Sequence, residues 1–505
     1  MKTKVREALN KLIDLFESNF KELKELSERD EKLFFSKYQN FLTTLKSAAP
    51  ENNKDSNHMD RIQLPNARQD EPYLVTLSGQ TITKIAFPEE IGLKFDEKKR
   101  CIEGTPLEAG EFKVLIHTLT ADILDAVLFV NPNPEKLWHN IPSKIGGYRF
   151  WKEDSYSEKK DNVHGVLIAG RQRGRTHANK GTCCDDHFEM AYHPETGMSI
   201  LAVSDGAGSA EFSRYGSKVL VEVATKKILE LLNDEEKSYR KFAELPNEEV
   251  IALTTRHLLT NAVQAAYLKL EDKAQRESIP VKSLSATLLV AITLPLKNGK
   301  WYTASYWVGD GAVAVFDTKE KEVNLLGKVD SGAYSGETQF LTQTEANAEK
   351  VFTRIATDTR DNPPVLFLMT DGVSDPKFKS DKQLEQYEPW ESLWHELHKP
   401  LQAEEPEKEL EKWLDFFSKG EHDDRTLAMF IPHKTWDSVQ NTNVEELLKP
   451  EDTENAKAKG VVETIEVDLS RSRAPLGGTG KITTSTLSRA GADQATPPAG
   501  AVQTT

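Results

Sequence analysis

The residues best suited to chemistry in this chain are aspartates, and they recur in one setting. Asp205 follows the apolar run GMSILAV, Asp310 follows SYWVG and Asp371 follows LFLMT, and each is followed by glycine. Asp185 and Asp186 sit in GTCCDDHF, and Asp423 and Asp424 immediately precede RTLAMF. A strand that ends in Asp-Gly carries a carboxylate to the rim of a sheet and then turns sharply, because glycine has no Cβ. One Asp-Gly is an ordinary turn. Several at the ends of core strands bring like charges together, and these repel unless a cation neutralises them. All-oxygen ligand sets suit Mg²⁺ or Mn²⁺ better than Zn²⁺. His177, His187 and His422 lie nearby without ligand spacing. Ser204, Gly206, Ala207, Gly208 and Ser209 leave Asp205 almost uncovered, which suits a backbone that must approach a ligand closely. Two hard cations about 3.5–4 Å apart lower the pKa of a shared water and clamp phosphoryl oxygens during in-line attack. Phosphate-monoester hydrolysis, among the slowest uncatalysed reactions, needs such help.

The elements that must position these acids read as a mixed domain over 148–433. The strands are VHGVLIAG, FEMAYH, MSILAVSD, SATLLVAITL, KWYTASYWVGD, AVAVFD, VLFLMTD and RTLAMFI; helices are expected over 215–232, 248–272, 382–398 and 407–419. Consecutive strands without intervening helices argue against a doubly wound parallel sheet and for an α+β sandwich.

A length of 505 residues is enough for roughly two to four domains. Residues 1–50 place Val5, Leu9, Leu12, Phe16, Phe20 and Leu23 at helical spacing, which reads as a helical segment packing on its own protein or on a partner. Residues 51–70 read as a polar linker. Over 71–134 the pattern shortens to strands: Gly104, Pro106 and Gly110 turn the chain while Phe112, Val114 and Ile116 alternate onto one face. The stretch IGLKFDEKKRCIEGTPLEAGEFKVLIHT resembles the small immunoglobulin-like or cadherin-like β-sandwich modules of bacterial proteins, which bind or space. Residues 434–505 read as a largely disordered tail, ending in a stretch rich in Gly, Ser, Thr, Pro and Ala. The net charge of −15 argues against nucleic acid as a partner. Three cysteines, two of them vicinal, make no disulfide framework. The charged N-terminus is no signal peptide and no window is apolar enough to span a membrane, so a cytoplasmic location is expected.

Taken in order, HANKGTCCDDHF, VSDGAGSAEFSRYGS, SATLLVAI, VGDGAVAVF, SGETQFLT, LMTDGVSD and DDRTLAMF resemble the metal-dependent serine/threonine protein phosphatases of type 2C, nearest their bacterial branch. The resemblance implies a four-layer α-β-β-α sandwich. Asp186 matches the first metal-binding aspartate, Asp205 the one that bridges two ions, Gly206 the glycine whose carbonyl joins them, Asp371 the late metal aspartate and Asp423 the final one. Asp310 and Asp375 resemble positions of a weaker third ion. Segment 331–344 falls where the family carries a mobile flap.

There are departures. Asp185 stands where relatives carry Glu or Gln, Ala207 where some carry His, and no arginine sits at the usual distance before the first aspartate. Arg173 and Arg175, with Arg171 and Lys180 close by, are the candidates to grip phosphate, since the guanidinium fork suits it. The expected activity is hydrolysis of phosphoserine or phosphothreonine in proteins, with two Mn²⁺ or Mg²⁺ ions and a bridging hydroxide. A cognate kinase or its target is the expected partner, with neither nucleic acid nor membrane involved. The departures leave two alternatives open: a pseudophosphatase that binds a partner without turnover, and a phosphatase of small metabolites.

Overall fold

The computed structural model describes residues 62–443, apart from 79–81, 89–90, 120–122, 235–237, 246 and 328–337, together with a strand at 465–468. The expected helical segment at 1–50 and residues 331–337 of the expected flap lie outside the described residues.

A small module comes first. Strands β1 (Ile62–Gln63), β2 (Ala67–Arg68), β3 (Tyr73–Ser78), β4 (Ile82–Ala86), β5 (Leu93–Asp96), β6 (Cys101–Gly104), β7 (Gly110–Thr118) and β8 (Ile123–Asn131) make two sheets. One runs β1-β8-β7-β4, with β2 also on β8; the other contains β3-β6-β5. Alternate residues of β3 (Tyr73, Val75, Leu77) and of β7 (Val114, Ile116) turn inward onto one shared core with Ile102 and Leu128. The small module takes in part of the stretch expected as linker, because Leu64 and Ala67 are buried in its core despite polar neighbours.

The larger domain has strands β9 (Ser155–Asp161), β10 (Gly165–Gln172), β11 (His187–His193), β12 (Met198–Ser204), β13 (Leu288–Pro295), β14 (Trp301–Val308), β15 (Ala312–Asp317), β16 (Glu322–Leu325), β17 (Ile355–Arg360), β18 (Val365–Met369) and β19 (Arg425–Pro432). Its helices are α1 (Arg175–Lys180), α2 (Ser213–Asn233), α3 (Glu248–Glu277), α4 (Ala348–Thr353), α5 (Asp371–Lys377), α6 (Asp381–Leu384), α7 (Tyr387–Leu401), α8 (Pro406–Trp413) and α9 (His433–Asn441). The strands form a six-stranded sheet, β16-β15-β18-β19-β10-β9, and a five-stranded sheet, β11-β12-β13-β14-β17. Both are antiparallel throughout.

Each central strand is buried on both faces, which explains its unbroken apolar run. In β12, Leu201 and Val203 face the other sheet while Met198, Ile200 and Ala202 face helices α2 and α3. In β18, Leu366 and Leu368 face between the sheets while Val365, Phe367 and Met369 meet α7. The result is four layers, α-β-β-α, as the sequence implies.

The expected helix over 382–398 is two, α6 and α7. That expected over 407–419 stops at Trp413, because the chain beyond it turns its carbonyls toward arginines: Leu414 and Phe416 accept from Arg425, and Phe416 also from Arg175. Within 434–505, α9 continues the larger domain, and strand β20 (Ile465–Asp468) pairs in parallel with β3. No helix among the described residues is long and apolar enough to cross a membrane.

Phe367 is fully buried, its ring centroid 5.4 Å from that of Trp390 and 6.0 Å from those of Phe316 and Trp394. Phe367→Ala is expected to cost about 3–5 kcal/mol of stability, read from urea unfolding midpoints.

Candidate metal centre

Strand register dictates where the aspartates meet. His187, just after Asp186, pairs with Ser204, just before Asp205. Val203 pairs with Leu289, and Leu288 with Val308 at the end that leads to Asp310. Across the other sheet Ala312 pairs with Met369, and Met369 with Leu427, just after Asp423 and Asp424. Every acid-bearing loop thus leaves the sandwich at the same end.

Carboxylate oxygens of Asp205, Asp310 and Asp371 lie within 4.8 Å of one another. Asp186 joins them from the wholly buried side. The hydroxyls of Thr370 and Thr426 each donate to its Oδ2 at 2.8 Å, and the Thr426 N–H donates to Thr370 Oγ1 at 3.0 Å. Its Oδ1 is buried and finds no hydrogen-bond donor. Burial, then the charge of Asp424, pushes Asp186 up to about 7. Asp205 rises well above the ordinary carboxylate range through burial and the charge of Asp371, and Asp371 does so through burial and Asp310. Such a group is unstable with all its charges present unless something positive enters. An undonated oxygen aimed inward, an oxygen-only set and crowded carboxylates fit a hard divalent cation.

Glycines let the walls close. A Cβ on Gly206 would lie 2.8 Å from the Asp185 carbonyl oxygen and 2.9 Å from Ser213 Cβ; one on Gly372 would lie 1.9 Å from the carbonyl oxygen of Asp424. Gly206 beside Asp205 is there because its loop packs directly on the loop that carries Asp185 and Asp186, whereas a Cβ on Gly208 would meet nothing.

The two Asp-Asp pairs divide their work. Asp186 and Asp423 stand on the cluster side, Asp423 at its exposed rim. Asp185 and Asp424 turn into the scaffold. Asp185 accepts from Ser213 Oγ at 2.9 Å and pairs with Arg214 Nε at 3.2 Å. Asp424 Oδ1 accepts from the Gly174 N–H at 2.6 Å; its Oδ2 accepts from the Asp185 N–H and pairs with His177 Nδ1 at 3.0 Å. Burial opposes the Asp424 charge, but the imidazolium and the two N–H donors outweigh it and hold the carboxyl down at about 2. The same pairing raises His177 to about 9. His177, Asp423 and Asp424 also come within 4.8 Å of one another, but there the imidazolium is the cation.

Arg173 and Arg175, expected to grip phosphate, are spent elsewhere. Arg173 is 4% exposed and donates to Thr182 O and Asn140 Oδ1, both at 2.7 Å, with Asp154 at 3.3 Å. Arg175 donates to the carbonyls of Asp415 and Phe416. Each guanidinium stitches a loop whose own backbone would otherwise lack donors. Asp375 lies one turn along α5, exposed and outside the 4.8 Å group. Thr338, at the described end of the expected flap, donates its hydroxyl to Asp310 Oδ2. Sequence reasoning missed Thr370, Thr426 and Lys152. The threonines directly precede Asp371 and follow Arg425, a position that could have marked them; Lys152 carries no such signal.

Residues 173–415 match the family model described as Protein phosphatase 2C. Among solved structures, RsbX in complex with magnesium is 16% identical, covering 55% of this chain and 100% of its own, with a TM-score of 0.29. The phosphatase MsPP from Mycobacterium smegmatis, in complex with cacodylate, is 14% identical, covering 52% and 97%, at 0.28. The phosphatase domain and regulatory fragment of SpoIIE from Bacillus subtilis are 11% identical, covering 85% and 95%, at 0.29. No curated protein matches the chain.

The His177–Asp424 pair predicts a pH signature. His177 is raised from 6.5 to about 9, so its contribution to stability is full below pH 6.5 and lost as pH rises through about 9. In chelator, His177→Gln is expected to melt well below the native protein at a pH of about 6 and close to it at about 10. An equal gap at both would remove the ion pair as the cause.

Proposed function

We propose that the chain is a protein serine/threonine phosphatase that hydrolyses phosphoserine or phosphothreonine in proteins at a dinuclear Mn²⁺ or Mg²⁺ centre, a reading supported by the match of residues 173–415 to the family model described as Protein phosphatase 2C. The observation that carries this reading is the convergence of Asp186, Asp205, Asp310 and Asp371 at one end of the sandwich, with Asp186 Oδ1 buried and undonated.

Asp205 and Asp371 lie together, with Asp186 adjoining Asp205, which suits Asp205 for contact with both ions. Thr370 and Thr426 hold one oxygen of Asp186 and leave the other for an ion. The exposed Asp423 and the backbone carbonyl of Gly206 complete the set. When bound, the two ions lower the pKa of a water to make a nucleophile and neutralise the phosphoryl oxygens. Ala207 supplies no proton, so the leaving serine or threonine oxygen takes its proton from water. With Arg173 and Arg175 engaged in loop contacts, electrostatic attraction to the ions carries phosphate binding. The partner is a phosphorylated protein, either a cognate kinase or its target.

A binding-only role has one observation in its favour: no arginine proposed for phosphate is free to reach it. The two readings part in one experiment. A phosphothreonine peptide is expected to release phosphate with Mn²⁺ and not with chelator. Asp205→Asn and Asp371→Asn are each expected to lower that rate about 100-fold or more. Manganese uptake by calorimetry without any turnover would instead support the binder, and full activity in either variant would overturn the assigned roles.

A further inference from the structure

Lys152 lies outside the segment matched by the family model, on the chain between the small module and β9. It is 5% exposed, an unusual place for a lysine. Its Nζ donates to the backbone carbonyls of Asp186 at 2.5 Å and of Asp185 at 3.2 Å, and to Ser217 Oγ at 3.4 Å. No carboxylate oxygen is among these partners. The ammonium has three protons, and three oxygens accept them.

The same stretch is fastened on both sides of Lys152. Phe150 stacks on Tyr215 of α2 with centroids 4.1 Å apart, and Arg149 reaches Glu277 at 2.7 Å. Arg214, the partner of Asp185, donates to the Arg149 carbonyl at 3.3 Å. Asp154 accepts from the Ser143 N–H at 3.0 Å and pairs with Arg173.

We infer that Lys152 is a positioning residue for the metal centre: by gripping the Asp185 and Asp186 carbonyls from behind, it fixes the peptide from which the Asp186 carboxylate projects. The inference rests on the metal-centre reading above. Groups that orient a ligating side chain commonly matter tenfold or more to metal affinity. Charge alone acts the other way, since a buried ammonium repels an incoming cation. Removing Lys152 therefore tightens metal binding if its charge dominates and weakens it if its grip dominates. Three hydrogen bonds, two of them to the backbone carbonyls of Asp186 and of its neighbour Asp185, favour the grip.

The test is a Mn²⁺ titration of the full chain by calorimetry, without substrate, beside thermal melts in chelator. Lys152→Met keeps the chain length and removes the donors. It is expected to bind Mn²⁺ about tenfold or more weaker than the native protein. Lys152→Gln, one bond shorter and still a donor, is expected between the two. It also serves as the test variant should Lys152→Met not fold. Unchanged or tighter binding in a folded variant, or a lowered melting point with unchanged affinity, overturns the inference. Failure of the native protein to bind Mn²⁺ would instead overturn the metal-centre reading itself.

Discussion

Mutual repulsion among carboxylates is the constraint around which the larger domain is arranged. Asp186, Asp205 and Asp371 are held, with Asp310 beside them, where burial and neighbouring carboxylates raise their pKa values. A flexible loop could relieve that repulsion by moving apart. These acids cannot: Asp205, Asp310 and Asp371 each sit within a residue or two of a strand that is hydrogen-bonded on both sides, and Asp186, at the start of edge strand β11, is held by Thr370 and Thr426. The large cores on either side of the sheets hold the acids together at a cost, and that repulsion is what an entering cation would relieve.

Around this cluster the fold adds a second tier of acids, each set against a positive partner. Asp185 with Arg214, and Asp424 with the partly buried His177, are opposites that meet within 3.2 Å. Truncating one partner of such a pair leaves the other buried without compensation, which is far worse than replacing both. The tandem aspartates therefore turn one residue toward the acidic cluster and the next into the scaffold on a single peptide. Gly206 and Gly372 allow these peptides to stack without a side chain between them.

Much of this was legible in the sequence because the central strands are buried on both faces. Runs such as SILAV and VLFLM can hardly be anything else, and each ends at the acid it delivers. The edge strands were harder to see. SYSEKKD in β9 and IATDTR in β17 have polar outer residues, since one side of an edge strand faces water. The clustered acids stood out by type and position, whereas the arginines misled. A basic residue near an acidic motif reads as phosphate-binding, yet burial and neighbouring carbonyls, which only the fold supplies, had already claimed Arg173 and Arg175. Lys152 was invisible for the same reason: its partners are main-chain oxygens, which leave no trace in residue types.

The pairing of Ile465–Asp468 with β3 bears on how the chain folds as it is made. The small module emerges first, yet one edge of its sheet is supplied by residues synthesised after the entire larger domain. Until then β3 offers a row of unsatisfied amides and carbonyls to any passing strand. During translation the early module is thus an unfinished sheet waiting for its last member, and crowded nascent chains would be most prone to join wrongly at that seam.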